Sequence, residues 1–163
     1  MTKVNTKLVT NRQVLKFTTT DEALNHALEI ARWEREGVLK TLGNWSPGQA
    51  LGHLATWVGY SHDGLPFEVP WFMRLLGPLL KGRALKGPMP AGWKFSQAPG
   101  GTWGTEPIST EQGLGQLRRA MERLRMAPPI RPHPFLGTLT PAQWTAAHLR
   151  HAELHLSFFA KKV

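Results

Sequence analysis

Four stretches of this chain with helical apolar spacing are each headed by a Ser or Thr that stands three residues before a Glu or Gln. The pairs are Thr19 and Glu22, Ser46 and Gln49, Ser109 and Gln112, and Thr140 and Gln143. This is the capping-box pattern: each side chain bonds the other residue's backbone N–H, satisfying donors that a helix start leaves free. Pro47 and Pro141 follow two of the caps at the first helical position, where a missing N–H is harmless. Four helix starts and no convincing strand pair restrict the chain to helix packed on helix.

The spacing predicts a first helix from about Thr20 to Leu42, with Leu24, Leu28, Ala31, Val38 and Leu42 recurring at helical intervals and Gly43 as its stop. A second runs from Ser46 to near Gly64, with Ala50, His53, Leu54, Trp57, Val58 and Ser61 inward. A third starts around Ser109, buries Leu114, Leu117, Met121 and Leu124, and stops at Pro128-Pro129; Arg118, Arg119, Arg123 and Arg125 form its wet side. The fourth runs from Thr140 to about Ala160. Between the second and third, residues 65–107 hold seven prolines and many glycines, so no long regular element is expected to persist. Within that crossover Trp71–Leu85 is expected to form one or two short helices packed on the bundle; a membrane-surface helix is the lesser reading, because Gly77-Pro78 interrupts it. The expected fold is all-α, a four-helix bundle with a long Pro/Gly-rich crossover between helices 2 and 3, in one domain over residues 1–163.

Composition narrows the chemistry. Among 163 residues there is no cysteine, which excludes disulfides, thiolate metal sites and a cysteine nucleophile. Any metal must be held by imidazole, carboxylate or water. No apolar run approaches the ~20 residues a membrane span needs, and the first residues carry no hydrophobic signal, so a cytoplasmic protein without a membrane span is expected. Twenty Lys and Arg against 11 Asp and Glu give a formal charge of +9, spread without a block of five or more. Such a spread reads as a solvated basic surface, and no motif points to a specific nucleic-acid partner.

The histidines are the informative residues. On a helical wheel with Trp144 at zero, His148, His151, His155 and Phe158 fall at about +40°, −20°, +20° and −40°, all on one face. His151 and His155 are one turn apart, a spacing that lets two rings converge on one cation, and His53 lies on the inner stripe of the second helix. Three histidines from two helices suffice to hold a divalent ion with positions open for water or substrate. The alternative is three core histidines hydrogen-bonded to their neighbours. Imidazole suits zinc, nickel, iron or copper. The run His151-Ala152-Glu153-Leu154-His155 is not a zinc-protease motif, since Ala152 stands where Glu is required and Glu153 points away from the stripe. Gln49, Trp57 and Tyr60 share the face of His53 and, with His148, are candidate pocket residues; Tyr60 would donate to a metal-bound group or to an ordinary backbone partner. His133, in a Pro-rich loop before the fourth helix, is expected in a structural turn, with reach to the mouth of the site as the lesser reading, and His26 and His62 are expected at the surface or at helix ends.

The run Gly43-Asn44-Trp45-Ser46-Pro47-Gly48-Gln49-Ala50-Leu51-Gly52-His53-Leu54 resembles the signature of a branch of the DinB/YfiT-like superfamily of proposed metalloenzymes. Ser61 to Gly64, Pro88 to Gly92, His133-Pro134-Phe135-Leu136-Gly137, Trp144 and the His151, His155, Leu156, Phe159 ending extend the resemblance over nearly the whole chain. Where branch members often carry an acidic-His-His run, this chain has Glu153-Leu154-His155. The resemblance implies a DinB-like four-helix bundle with a divalent metal held by His53, His151 and His155. It also implies a thiol-dependent transferase or isomerase that uses a small thiol such as bacillithiol or mycothiol, or a metal-dependent hydrolase, acting on a small molecule. A noncatalytic metal-binding protein, with the ion stapling helix 2 to helix 4, remains the alternative, and homodimerisation through bundle faces remains open.

Overall fold

The computed structural model describes residues 3–95, 98 and 101–162; Pro99 of the crossover lies outside them. The chain is all-α apart from one small ribbon. In order it forms α1 (Thr20–Arg35), β1 (Leu39–Thr41), α2 (Pro47–Asp63), α3 (Trp71–Lys86), α4 (Thr110–Met126), α5 (Pro141–Leu156) and β2 (Phe159–Lys161). The capping boxes at the heads of α2, α4 and α5 form with both reciprocal bonds. At α1 the Thr19 side chain accepts from the Glu22 N–H, while Glu22 turns back to the Thr18 N–H and hydroxyl.

Helices α1, α2, α4 and α5 surround a core that includes Ala27, Ile30, Leu51, Leu54, Val58, Leu117, Met121, Leu124, Trp144, Leu149 and Leu156. The most extensive helix pair is α2 with α4. Two glycines make it so: a Cβ on Gly48 would lie 2.1 Å from the Ile108 carbonyl oxygen, and one on Gly113 would lie 2.7 Å from the Gly48 carbonyl oxygen. The backbones therefore touch where both helices begin.

Four expectations are corrected. The first helix ends at Arg35, not Leu42, because Glu36-Gly37 closes a Schellman motif: Gly37 takes φ +71°, its N–H donates to the Glu34 carbonyl, and the Val38 N–H donates to the Trp33 carbonyl. Its buried face is Ala23, Ala27, Ile30 and Ala31, with Leu28 exposed, because small alanines let α1 sit close to the core. Second, β1 and β2 pair antiparallel, Leu39 opposite Lys161 and Thr41 opposite Phe159, so the last helix stops at Leu156 rather than Ala160. Phe158 thus lies beyond the helix, buried under the Arg12 guanidinium. Third, Trp71–Lys86 is one 16-residue helix that runs through Pro78. Docking overrides the lost hydrogen bond: a Cβ at Gly77 would lie 1.4 Å from the Phe135 carbonyl oxygen, and Pro78 packs against Gly137.

Fourth, Arg150 is not part of the solvated basic surface. It is buried beside Glu153, and the pair clamps the N-terminal segment: Arg150 donates to the Phe17 carbonyl while Glu153 accepts from the Phe17 N–H. Glu153 does point away from the histidine stripe, but toward protein rather than water. The third-helix arginines behave as expected, with Arg123 paired to Asp63 and Arg125 to Glu122 in exposed bridges of little energetic weight.

The close α2–α4 contact makes opposite outcomes at two glycines of one helix. Gly48→Ala is expected to destabilise the protein by about 2–3 kcal/mol through overpacking against backbone. Gly59→Ala, where a Cβ meets nothing within 4 Å, should stabilise it by about 0.5–1 kcal/mol. Urea denaturation of the two variants measures both; equal effects would remove the backbone-contact account.

Candidate metal centre

The caps fix where the histidines stand. His53 sits on α2 two turns from the Ser46–Gln49 box, and His151 and His155 sit one turn apart on α5, which the Thr140–Gln143 box starts. The two helices bring the three rings together. Ring centroids are 4.6 Å apart for His53 and His155, 4.7 Å for His151 and His155, and 5.0 Å for His53 and His151. One ligand nitrogen from each lies within 4.8 Å of the others, so the group can hold a metal ion. No fourth His, Asp or Glu joins it among the described residues.

The tautomer of His53 follows from its partner. Nδ1 lies 2.8 Å from the Trp103 carbonyl oxygen, which can only accept, so Nδ1 carries the hydrogen and Nε2 keeps a lone pair. That Nε2 is 3.2 Å from Nε2 of His151. Two imidazole nitrogens bound tetrahedrally to zinc at ~2.05 Å would be about 3.3 Å apart, so the spacing suits either an N–H···N hydrogen bond or a shared ion. A carbonyl bonded to the far nitrogen is also the usual support of a metal-binding imidazole.

Trp103 is itself held by stacking. Its ring lies 4.1 Å from that of Phe67 at an interplanar angle of 5°, and Phe95 bridges Trp103 to Trp57. Trp45, from the loop before α2, stacks on His155 at 5.0 Å and packs against His53 at 4.9 Å. Burial then sets the charge state. It holds His53 down to about 4, and it holds His151 and His155 well below the usual imidazole range, reinforced by the neighbouring rings. All three are neutral at pH 7, the form in which imidazole donates a lone pair to a metal.

The rings open onto a cavity of about 740 Å³. Its walls are mainly apolar, with Trp45, Trp57, Met73, Phe95 and Phe135 prominent; Lys3, Arg83 and Lys94 also line it, and no Asp or Glu does among the described residues. Over residues 9–162 the chain matches a family described as a protein of unknown function, DUF1569. The chain belongs to that family. No curated protein and no solved structure matches the chain significantly. For this DUF1569 member, then, the chemistry has to be read from the site itself.

The other candidate residues separate into cavity and scaffold. Trp57, Tyr60 and His148 line the cavity; Gln49 does not, being used by its cap and by a 2.8 Å bond to the Thr105 carbonyl. Tyr60 sits edge-on to Trp57, and its hydroxyl has no hydrogen-bond partner among the described residues. His148 stacks on Trp144, with Nε2 3.3 Å from the Ser61 hydroxyl, and burial lowers it to about 3. His133 does both: it lines the cavity and holds a structural turn, its Nδ1 accepting from the Phe135 and Leu136 N–H groups. His62 closes the end of α2 through the Val58 and Ala127 carbonyls. His26, expected at the surface or a helix end, instead lies mostly buried on α1 between Phe17 and Trp33. Two participants escape sequence reasoning: the Trp103 carbonyl, which is backbone and leaves no side-chain signal, and Trp45, whose only sign is its place in the Gly-Asn-Trp-Ser run.

Neutral burial makes the apo protein acid-sensitive in a defined direction. Between pH about 6.5 and about 4 the unfolded chain binds protons at histidines that the folded chain keeps neutral, so stability falls as pH falls through that window and levels above it. Melting temperatures measured in chelator should be flat above pH ~7 and drop below pH ~6. A constant melting temperature down to pH ~4 would contradict neutral, buried histidines in the folded chain.

Proposed function

We propose that this DUF1569 protein is a divalent-metal-dependent enzyme that acts on a small molecule bound in the cavity above His53, His151 and His155. The carrying observation is that three neutral imidazoles meet on the wall of a cavity of about 740 Å³ with no further protein ligand beside them among the described residues. Structural ions have their coordination filled by protein, whereas catalytic ions keep a place for the reacting group. A noncatalytic staple between α2 and α5 is the alternative reading, and a filled coordination shell would favour it.

A divalent ion held there, with zinc, nickel or iron suited to imidazole, would supply Lewis acidity to a water, thiol or carbonyl that reaches it. The chain's own groups do the rest. The Trp103 carbonyl keeps the His53 proton on Nδ1 and its lone pair inward. Trp45 fixes the plane of His155 by stacking. Trp57, Phe95 and Phe135 give the cavity apolar walls, beside which electrostatic interactions are stronger than in bulk water. Tyr60 offers its hydroxyl, without a partner among the described residues, from the cavity wall as a hydrogen-bond donor to substrate, and burial together with nearby Glu106 raises its pKa and keeps it protonated.

The resemblance to the DinB/YfiT-like superfamily supports the same three ligands and narrows the reaction to thiol-dependent transfer or hydrolysis of a small molecule. The absence of cysteine from the chain suits a thiol that arrives as a cosubstrate.

The deciding measurement is elemental analysis of protein purified without added metal, paired with the same analysis of His53→Ala and His155→Ala. The expected result is stoichiometric divalent metal in the wild type and at least a tenfold loss in each variant, with helical circular dichroism retained. Added metal at one hundred times its dissociation constant should stabilise the wild type alone by about 2.7 kcal/mol. Folded wild type that neither carries nor binds a divalent ion would remove the enzyme reading and leave three packed core histidines.

A further inference from the structure

Helix α3 turns outward the side chains that a helix normally buries. Trp71, Phe72, Leu75, Leu76, Leu79 and Leu80 are between 50% and 81% exposed. Their spacing, two adjacent residues in each of three successive turns, places them on one side of the helix. The other side is firmly seated: Gly77 touches the Phe135 backbone, Pro78 packs against Gly137, and the Lys81 ammonium donates to the Thr138 carbonyl. Phe72, Leu76 and Leu80 also line the cavity, whereas Trp71, Leu75 and Leu79, the most exposed of the six, are held facing away from the bundle. An exposed apolar surface of this extent marks an interaction site.

Charge selects the occupant. From residue 69 to residue 105 the chain has five basic residues, Arg74, Lys81, Arg83, Lys86 and Lys94, and no Asp or Glu. A second copy docked through the same face would bring this segment against its own like charges, because a two-fold interface pairs a surface with itself. An anionic lipid surface instead offers acyl chains to Trp71, Leu75 and Leu79 and phosphates to Arg83 and Lys86, which are exposed on the same side of the helix, Lys81 being held on the seated side. Trp93, 62% exposed in the same segment, adds an aromatic of the kind that favours the headgroup boundary. No helix among the described residues is long and apolar enough to cross a bilayer, so the contact would be with the surface of the membrane.

We propose that α3 is an in-plane anchor that docks this protein on anionic membrane surfaces through Trp71, Leu75 and Leu79 and the Arg83 and Lys86 side chains beside them. The anchor is independent of the metal. Binding should weaken as salt rises and should be strong only with anionic lipid, since each Lys or Arg near such a surface is worth about a fivefold gain in partition.

The test is co-sedimentation of the full chain with vesicles of phosphatidylcholine alone and of phosphatidylcholine mixed with phosphatidylglycerol, beside Leu75→Glu/Leu79→Glu. Both substituted side chains are exposed, so the variant should keep its circular dichroism and melting temperature. The expected result is at least about tenfold tighter binding to the anionic vesicles, and at least about tenfold weaker binding by the variant. Equal binding to the two vesicle types, or binding that the variant leaves unchanged, overturns the proposal, the second outcome showing that net charge alone is responsible. A wild-type dimer that Leu75→Glu/Leu79→Glu converts to monomer in sedimentation also overturns it, by making a second copy the occupant.

Discussion

The bond from His53 Nδ1 to the Trp103 carbonyl joins two parts of the molecule that the sequence separates by 50 residues, and the arrangement of the site depends on it. A buried imidazole with an unpaired nitrogen costs about 1–3 kcal/mol, and three of them side by side cannot be tolerated without partners or a cation. The carbonyl answers one nitrogen and sets the direction of the other. It also gives the crossover a reason to be ordered, because Trp103 must be held over α2 by stacking on Phe67 and packing against Phe95. The Gln49 side chain adds a second tie, from the cap of α2 to the Thr105 carbonyl. Site and crossover thus stabilise each other, and the aromatic groups that enclose the cavity are the same groups that orient a candidate ligand.

Helix starts, and with them the heights of the histidines along α2 and α5, were legible because capping is local chemistry. Ser46 and Gln49 need only each other and the backbone, and the same holds for Thr140 and Gln143. From a fixed start, helical geometry alone assigns His53, His151 and His155 to inward faces. Helix ends were less legible. Gly37 carries the stop signal for α1 in plain view, but the apolar spacing of Val38 and Leu42 continues past it, and those residues belong to the ribbon region instead. The ribbon itself has three residues in each strand, too few for an alternating pattern to declare itself.

What the sequence hid is tertiary. Arg150 and Glu153 sit opposite the histidine stripe, where periodicity assigns water; the N-terminal segment covers that side and gives each charge a backbone partner at Phe17. Neither residue signals that a separate piece of chain will arrive. His26 was misplaced for the same reason, since Phe17 and Trp33 enclose it from outside its own helix face. The Gly77-Pro78 pair misled in the opposite direction: local preference breaks a helix there, yet contact with the 133–137 loop requires a residue without Cβ at the first position and accommodates the ring at the second.

That docking point also explains why α3 can expose so much apolar surface without collapsing onto the bundle. A helix free to rotate would turn Leu75 and Leu79 inward, because burying each would gain about 1.5–3 kcal/mol. Rotation is blocked. Every other residue of α3 except Gly82, which lies more than a turn further along, would carry a Cβ or a full side chain into the space that Gly77 leaves vacant against Phe135. The helix is keyed to one orientation: Phe72, Met73, Leu76, Gly77, Leu80 and Ala84 line the cavity while Trp71, Leu75 and Leu79 face solvent. One element therefore forms both a wall of the chamber reached by the histidines and the most apolar exposed face described for the chain, so that whatever covers the outer face stands within a helix diameter of the chamber, about 10 Å.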